Sequence, residues 1–164
     1  MYQYDTIIDA LKDELTDLVD PSIPLGEGGT GEAIYGAVSI GQPSNLSLYN
    51  GPLAVIVFGS KESKTGINNQ GRKAIITGAI ATFIPGQNED SVKKCLHYCD
   101  IIEYALEDNP TLLDMKGVRI QPLKHGKTQE WTSVNVSGNT KNPKICIAGG
   151  TRFIITASRV KPTE

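Results

Sequence analysis

The chain has 164 residues, a length typical of a single domain, and we take residues 1–164 as one domain. No apolar run approaches the roughly 20 residues that cross a bilayer, and the sequence starts on an acidic helical pattern, so we expect neither a membrane-spanning helix nor a targeting segment. Three cysteines are an odd, low number, which fits a reducing compartment better than a disulfide framework.

Residues 5–19 are predicted to form an amphipathic helix. Apolar residues recur every three or four positions along one stripe: Ile7, Ile8, Leu11, Leu15, Leu18 and Val19. Asp9, Asp13 and Asp17 line another face of the helix, and Pro21 ends it.

Residues 24–51 are predicted to be an extended arm. Six glycines between positions 26 and 41, with prolines at 24 and 43, exclude a long helix and leave room for a short strand over 33–40. An irregular stretch of this length usually means function or disorder. In an assembling protein, we expect such an arm to become ordered against a neighbour.

The next segment is predicted to be a strand, a long basic hairpin loop and a second strand. The run Leu53–Phe58 is continuously apolar and β-branched, which predicts a buried strand, and residues 73–84 form its partner. The loop between them, residues 59–72, is polar and contains glycines and asparagines. The candidate functional residues lie in this loop and at its end: Lys61, Lys64, Arg72 and Lys73. Basic loops can follow a phosphate backbone without reading bases, and an ordinary solvated hairpin has equal weight.

A second amphipathic helix is predicted over residues 88–108, followed by several strands. Asn88 caps its start and Asn109-Pro110 stops it. The predicted buried stripe comprises Val92, Cys95, Cys99, Ile102 and Leu106. Strands are predicted over 118–123, 131–136, 145–147 and 152–160, with Gly149-Gly150 as a bulge or turn between the last two.

Together, the first helix and the elements within residues 52–160 predict an α+β fold. Strands joined by hairpins give a mostly antiparallel sheet, with the two amphipathic helices packed on one face, a long hairpin loop and an extended N-terminal arm.

The net charge of −2 conceals a strong asymmetry along the chain. Residues 1–51 contain one base and eight acids, whereas residues 116–164 contain nine bases and two acids. Solvated faces explain any single charge. Taken together, the distribution favours contact between an acidic side of one copy and a basic side of the next.

No motif for catalysis, cofactor binding or metal binding satisfies its structural requirements. Gly126-Lys127-Thr128 ends like a phosphate-binding loop, but Gln121 replaces the required glycine and a strand follows. Cys95 and Cys99 share one helix face while His97 points away, so two buried thiols are far more probable than a zinc site. The sequence predicts no enzyme.

The order of elements resembles the tail terminator family of tailed bacteriophages, also called minor tail or tail completion proteins. Three pieces carry the resemblance: the helix Thr6–Leu15, the helix end Tyr104–Pro110, and Gly117–Ile120 followed by the closing strand Arg152–Ala157. The resemblance implies a virion protein, made in the host cytoplasm and located in the tail and neck region.

It also implies a homohexameric ring that caps the tail tube, stops tube growth and joins the tail to the head. The implied partners are other copies of the chain, the tail tube protein, a neck or stopper protein and, as a further candidate, the sheath. DNA would pass through non-specifically, near the basic hairpin. The alternatives are another head–tail connector subunit and a small nucleic-acid-binding module that uses the basic strands.

Overall fold

The computed structural model describes residues 4–20, 33–41, 51–65, 72–123, 129–136, 141 and 143–160. In chain order, they form α1 (Tyr4–Thr16), β1 (Ala37–Ile40), β2 (Leu53–Thr65), β3 (Arg72–Pro85), α2 (Glu89–Asp108), β4 (Val118–Pro122), β5 (Gln129–Asn135) and β6 (Ile145–Val160). The fold is α+β, with two helices and a mostly antiparallel six-stranded sheet, as predicted. Most of the predicted arm, over 24–32 and 42–50, lies outside the described residues.

The sheet has the strand order β1-β2-β3-β6-β4. The long strands β2, β3 and β6 are antiparallel, and the short β1 is parallel to the first four residues of β2. β4 pairs with β6 over Phe153–Ala157, and β5 pairs with β6 over Ile145–Thr151. Two short strands therefore share one edge of β6, one after the other.

The core lies on one face of this sheet, which we call the core face. Alternate residues of β3 are buried there, among them Ile76 and Ile80. The same cluster contains buried residues of both helices: Ile7, Leu11 and Leu15 of α1, and Ile101, Ile102 and Leu106 of α2. The intervening residues of β3 lie on the opposite face, which we call the outer face, and are half-buried or exposed: Lys73, Ile75, Thr77, Ala79, Ala81 and Phe83.

Three local predictions are wrong. The loop predicted over 59–72 is largely strand, because β2 continues to Thr65 and β3 begins at Arg72. Gly149 and Gly150 do not interrupt a strand; both pair with β3 inside a continuous β6. Val92, expected in the buried stripe of α2, is 37% exposed, and Ser91 is buried in its place.

The limits of α2 follow from local chemistry. The side chain of Asn88 accepts a hydrogen bond from the Ser91 amide, and the predicted N-cap is confirmed. The Ser91 hydroxyl in turn donates to the Pro85 carbonyl at 2.9 Å, which fixes the helix to the end of β3.

Neither described helix is long and apolar enough to cross a membrane.

A buried hydrogen bond ties the segment before β1 to the middle of the sheet. The hydroxyls of Tyr35 and Thr82 lie 2.7 Å apart, and the two residues are 5% and 0% exposed. Burial raises the pKa of the Tyr35 hydroxyl, which therefore stays protonated. The Tyr35 ring also meets Tyr98 of α2 edge to face, at 5.8 Å between centroids.

Replacing Thr82 with valine is expected to destabilise the protein by about 2 kcal/mol, because the buried Tyr35 hydroxyl loses its partner. Urea unfolding followed by circular dichroism measures this loss. The matched control is the double variant Thr82→Val/Tyr35→Phe, which removes both polar groups and should recover most of the stability. A double variant less stable than Thr82→Val would contradict the explanation.

Candidate assembly surface: the basic hairpin and the outer face

The predicted basic residues lie on the two strands of the β2–β3 hairpin rather than in a loop. A β-bulge at Gly59 shifts the register, so that Ser60 pairs with Thr77 and Lys61 with Ile76. The extra residue reverses which β2 side chains meet the core face, since successive side chains alternate. Exposed edge strands need no apolar alternation, which explains why the polar sequence after Gly59 still forms a strand.

Lys61 is turned toward the core face and covers the start of α1. Its ammonium nitrogen lies 3.6 Å from the centre of the Tyr4 ring, close enough for a cation–π interaction. The Tyr4 hydroxyl shares a 3.1 Å hydrogen bond with Ser63, two residues further along β2. These contacts hold α1 against the hairpin, so Lys61 has a structural role besides any external one.

The other three predicted residues lie near the hairpin end. Lys64 and Lys73 are direct cross-strand partners, and Arg72 pairs with Thr65. Like charges placed directly opposite each other destabilise a strand pair. The exposed side chain of Lys73 is on the outer face. The structure therefore brings Lys64 and Lys73 together, whereas Lys61 is on the other side of the sheet.

A groove crosses the outer face at this end of the sheet, with a volume of about 590 Å³. One row of residues runs through it in register across four strands: Glu62 of β2, Ile75 of β3, Thr156 of β6 and Arg119 of β4. Lys73 lies on its rim. The groove thus has a half-buried isoleucine in its floor, two exposed cations and one carboxylate.

A second depression of about 690 Å³ lies further along the outer face. Small residues of β3 and β6 form its floor: Ala79, Ala81, Ala148 and Gly150. Arg152 and Glu130 stand at its side as an ion pair at 3.4 Å, with both side chains about half exposed. Exposed ion pairs of this kind contribute at most about 1 kcal/mol. The outer face therefore has a charged groove at one end and, further along, a depression with a floor of small residues beside an exposed ion pair.

Part of β2 forms an open sheet edge. β1 pairs with β2 only over Leu53–Ile56, and no other strand of the described residues pairs with that side of Val57–Thr65. Val57 is 46% exposed there. A row of unpaired backbone groups can accept another strand, while a bulge and lysines limit uncontrolled pairing. Within the part of the chain that the structure describes, this edge is therefore unpaired but protected against uncontrolled pairing.

The exposed side of α1 is acidic. Asp5, Asp9 and Asp13 are four residues apart and all exposed, so they form one row on the helix. Burial, and then the carboxylates of Asp17 and Asp114, raises the pKa of the nearby Glu14. The predicted acidic row was Asp9, Asp13 and Asp17: Asp9 and Asp13 are exposed on α1 as expected, whereas Asp17 follows the helix, which ends at Thr16 rather than at residue 19.

The residues considered for chemistry are in structural positions. Cys95 and Cys99 are both 0% exposed and pack with Ile84 and Ile147 in a small second cluster. The Cys95 thiol has a raised pKa because it shares a hydrogen bond with Cys99 and is buried. His97 points away from these thiols: its Nε2 lies 2.6 Å from Oδ2 of the buried Asp20. Among the described residues, no group of three or more His, Cys, Asp or Glu side chains is placed to hold a metal ion.

Sequence reasoning missed Glu62, Arg119 and Thr156 as parts of a common surface. They come from strands far apart in the chain and meet only through the registers of β2, β3, β6 and β4. The available signal was the alternation of side-chain directions along β4. Val118 and Ile120 are buried, so the side chain of Arg119 between them points to the other face of the sheet.

Comparison with protein-family models finds no match for this chain, and a search of curated proteins finds none either.

Proposed function

We propose that this chain is a structural protein of a phage virion, a tail terminator that forms a ring on the end of the tail tube. In this role it stops polymerisation of the tube and provides the surface on which the head or neck docks. The observation that carries the proposal is the basic edge of β2, which no described strand pairs with beyond Ile56 and which lies on a long hairpin.

A terminator must bind the end of a polymer without offering the same end again. The β2 edge from Val57 to Thr65 supplies unpaired backbone groups that an approaching strand can use. Lys61 and Lys64 lie on that edge, and their positive charge favours an acidic partner strand over a basic one. The opposite side of the sheet ends in β4 and β5 and carries different residues, so a subunit docked through β2 does not regenerate the tube end.

A ring needs a contact between two different surfaces of the same chain, repeated until it closes. The acidic α1 and the basic part of the outer face are two such surfaces, and opposite charges favour their contact over contacts between like copies. This supports a closed ring of identical subunits, for which we propose six. Another connector subunit of the neck would share these requirements and is the nearest alternative.

The edge can be tested by reversing its charge. We expect Lys61→Glu/Lys64→Glu to stay folded but to lose control of tube length when it is added to the polymerising tube protein of the same genome. Glutamate keeps the edge charged and protected against aggregation. Because Lys61→Glu also removes the contact with the Tyr4 ring, circular dichroism and urea unfolding must show that the variant stays folded. Electron microscopy of the tubes should show a broad length distribution in place of a sharp maximum.

The matched control is Lys93→Glu/Lys94→Glu, which makes the same change in net charge on exposed positions of α2. It should limit tube length as the wild type does. A folded Lys61→Glu/Lys64→Glu protein that still gives uniform tubes would remove the β2 edge from the proposal. A wild-type protein with no effect on tube length would overturn the function itself.

One observation favours a second candidate, a nucleic-acid-binding module. Lys73 and Arg119 are exposed on one face, and Lys64 is the cross-strand partner of Lys73, which makes a compact basic corner. Filter binding of short oligonucleotides at several salt concentrations tests it. Saturable binding that falls steeply with salt would support this function.

A further inference from the structure

The acidic row of α1 has no cationic partner among the described residues. Asp5, Asp9 and Asp13 make no ion pair with any described residue, and Lys12 is the only base in the helix. Like charges four residues apart destabilise a helix by about 0.2–0.5 kcal/mol per pair. The row therefore costs stability in the isolated subunit, and an external cationic surface would offset that cost.

The groove on the outer face has the opposite character. Lys73 and Arg119 are exposed and make no ion pair with any residue that the structure describes. Glu62 also lines the groove and has an interaction of its own within the chain. Two exposed cations against one carboxylate make this groove cationic.

The spacings of the two surfaces agree. Along an α-helix, Asp5 and Asp13 are separated by about 12 Å, because each residue rises about 1.5 Å. Arg119 is in register with Ile75, two strands away, and Lys73 is two residues from Ile75 along β3. Strand spacing and rise together give about 12 Å between the Cα atoms of Lys73 and Arg119. The ends of the acidic row can therefore lie opposite the two cations.

We propose that the acidic row of α1 in one copy docks in the Lys73–Arg119 groove of a second copy. The occupant is a second copy because the chain itself supplies a helix of matching charge and length in equal number. This inference rests on the proposed ring and identifies its subunit contact. Ile75 in the groove floor gives the helix an apolar surface on which to pack.

The positions of the two surfaces determine the symmetry of the contact. α1 packs at the core face, where Tyr4 contacts Lys61 and Ser63, whereas Lys73 and Arg119 are on the outer face. A contact that joins opposite faces of one subunit is heterologous, so it continues from copy to copy and forms a ring when the rotation between copies closes. The separation of the two surfaces on opposite faces disfavours a compact two-fold dimer.

Two charge-reversed proteins test the contact. One carries Asp5→Lys/Asp13→Lys at the two ends of the row, and the other carries Lys73→Glu/Arg119→Glu. Each alone presents like charges at the contact, so we expect self-association at least about 100-fold weaker than in the wild type, measured by sedimentation velocity at low salt. Circular dichroism verifies that both proteins are folded, and Lys93→Glu/Lys94→Glu is the control for net charge.

The decisive measurement is an equimolar mixture of the two reversed proteins. In the mixture, each basic helix can meet an acidic groove and each acidic helix a basic groove, so assembly should return with the two proteins alternating. An acidic partner of another kind, or nucleic acid at the groove, would not restore it.

Three results would overturn the contact. They are wild-type self-association in both reversed proteins, a mixture that stays dissociated although both proteins are folded, and a wild-type protein that is monomeric at all concentrations. None of these decides the proposed function, because the tube-length assay tests the β2 edge through other residues. Normal length control with failed rescue would retain the terminator and reject this contact.

Discussion

Replacement of Phe153 with alanine is expected to lower the free energy of unfolding by about 3–5 kcal/mol, the largest effect that we predict for a single side chain. Phe153 is 0% exposed and lies on β6, the strand that joins β3 to β4 and β5. Its ring occupies the space above Gly78, where an added Cβ would lie 2.7 Å from the ring atom Cζ and collide with the Val57 carbonyl oxygen. Gly78, the cross-strand partner of Phe153, has no side chain to fill this space once the ring is removed.

The measurement is urea unfolding, and Phe58→Ala is the matched control. Phe58 is half-buried and meets Phe153 edge to face, with 6.3 Å between ring centroids. Its loss should cost clearly less than the loss of Phe153. The double variant should show a coupling of about 0.5–1.5 kcal/mol, typical of such aromatic pairs. Equal losses for the two single variants would show that the core is not centred on Phe153.

This stability matters for the proposed assembly because the charged surfaces are all carried by the same sheet. Arg119 reaches the groove only through the pairing of β4 with the Phe153–Ala157 part of β6. A core variant that loosens β4 should therefore weaken self-association as well as stability. This is why each charge-reversed protein must be shown to be folded before its assembly is interpreted.

Helices and strand positions were largely predictable from local pattern. The apolar spacing of three and four residues located both helices, and Asn88 marked the start of α2 correctly. Short apolar runs located the inner parts of β2 and β3. The outer half of β2 was missed because an edge strand exposed to water carries no apolar signal, whereas β3 was predicted to within one residue at each end. The parallel pairing of β1 with β2 was missed for a different reason: it is not encoded by any adjacent turn.

The candidate site was only partly predictable. The four bases Lys61, Lys64, Arg72 and Lys73 were identified as a basic cluster, since they are close in sequence. Their division between two faces was not, because it depends on the bulge at Gly59 and the register that follows it. Arg119 joined the cluster only through strand order, which a sequence pattern does not specify.

Gly149 and Gly150 carry the second large prediction. Gly149 lies in β6 beneath α2, where an added Cβ would come within 2.7 Å of Cys99 Sγ and Trp131 Cδ1, and 2.8 Å of Cys95 Sγ. Side chains held in a helix and an adjoining strand cannot all retreat. Gly149→Ala is therefore expected to destabilise the protein by about 3 kcal/mol, at the upper end of the cost of overpacking.

Gly150 is the matched control one residue away. An added Cβ there has no atom within 4 Å, so Gly150→Ala should be neutral or stabilising by about 0.5 kcal/mol. The single tryptophan, Trp131, reports directly on the site, and its fluorescence in urea can follow both variants. Two adjacent glycines read from sequence as a break thus have different roles in a continuous strand, since Gly149 allows α2 to approach the sheet. Equal destabilisation by both variants would instead favour a backbone requirement for glycine at each position.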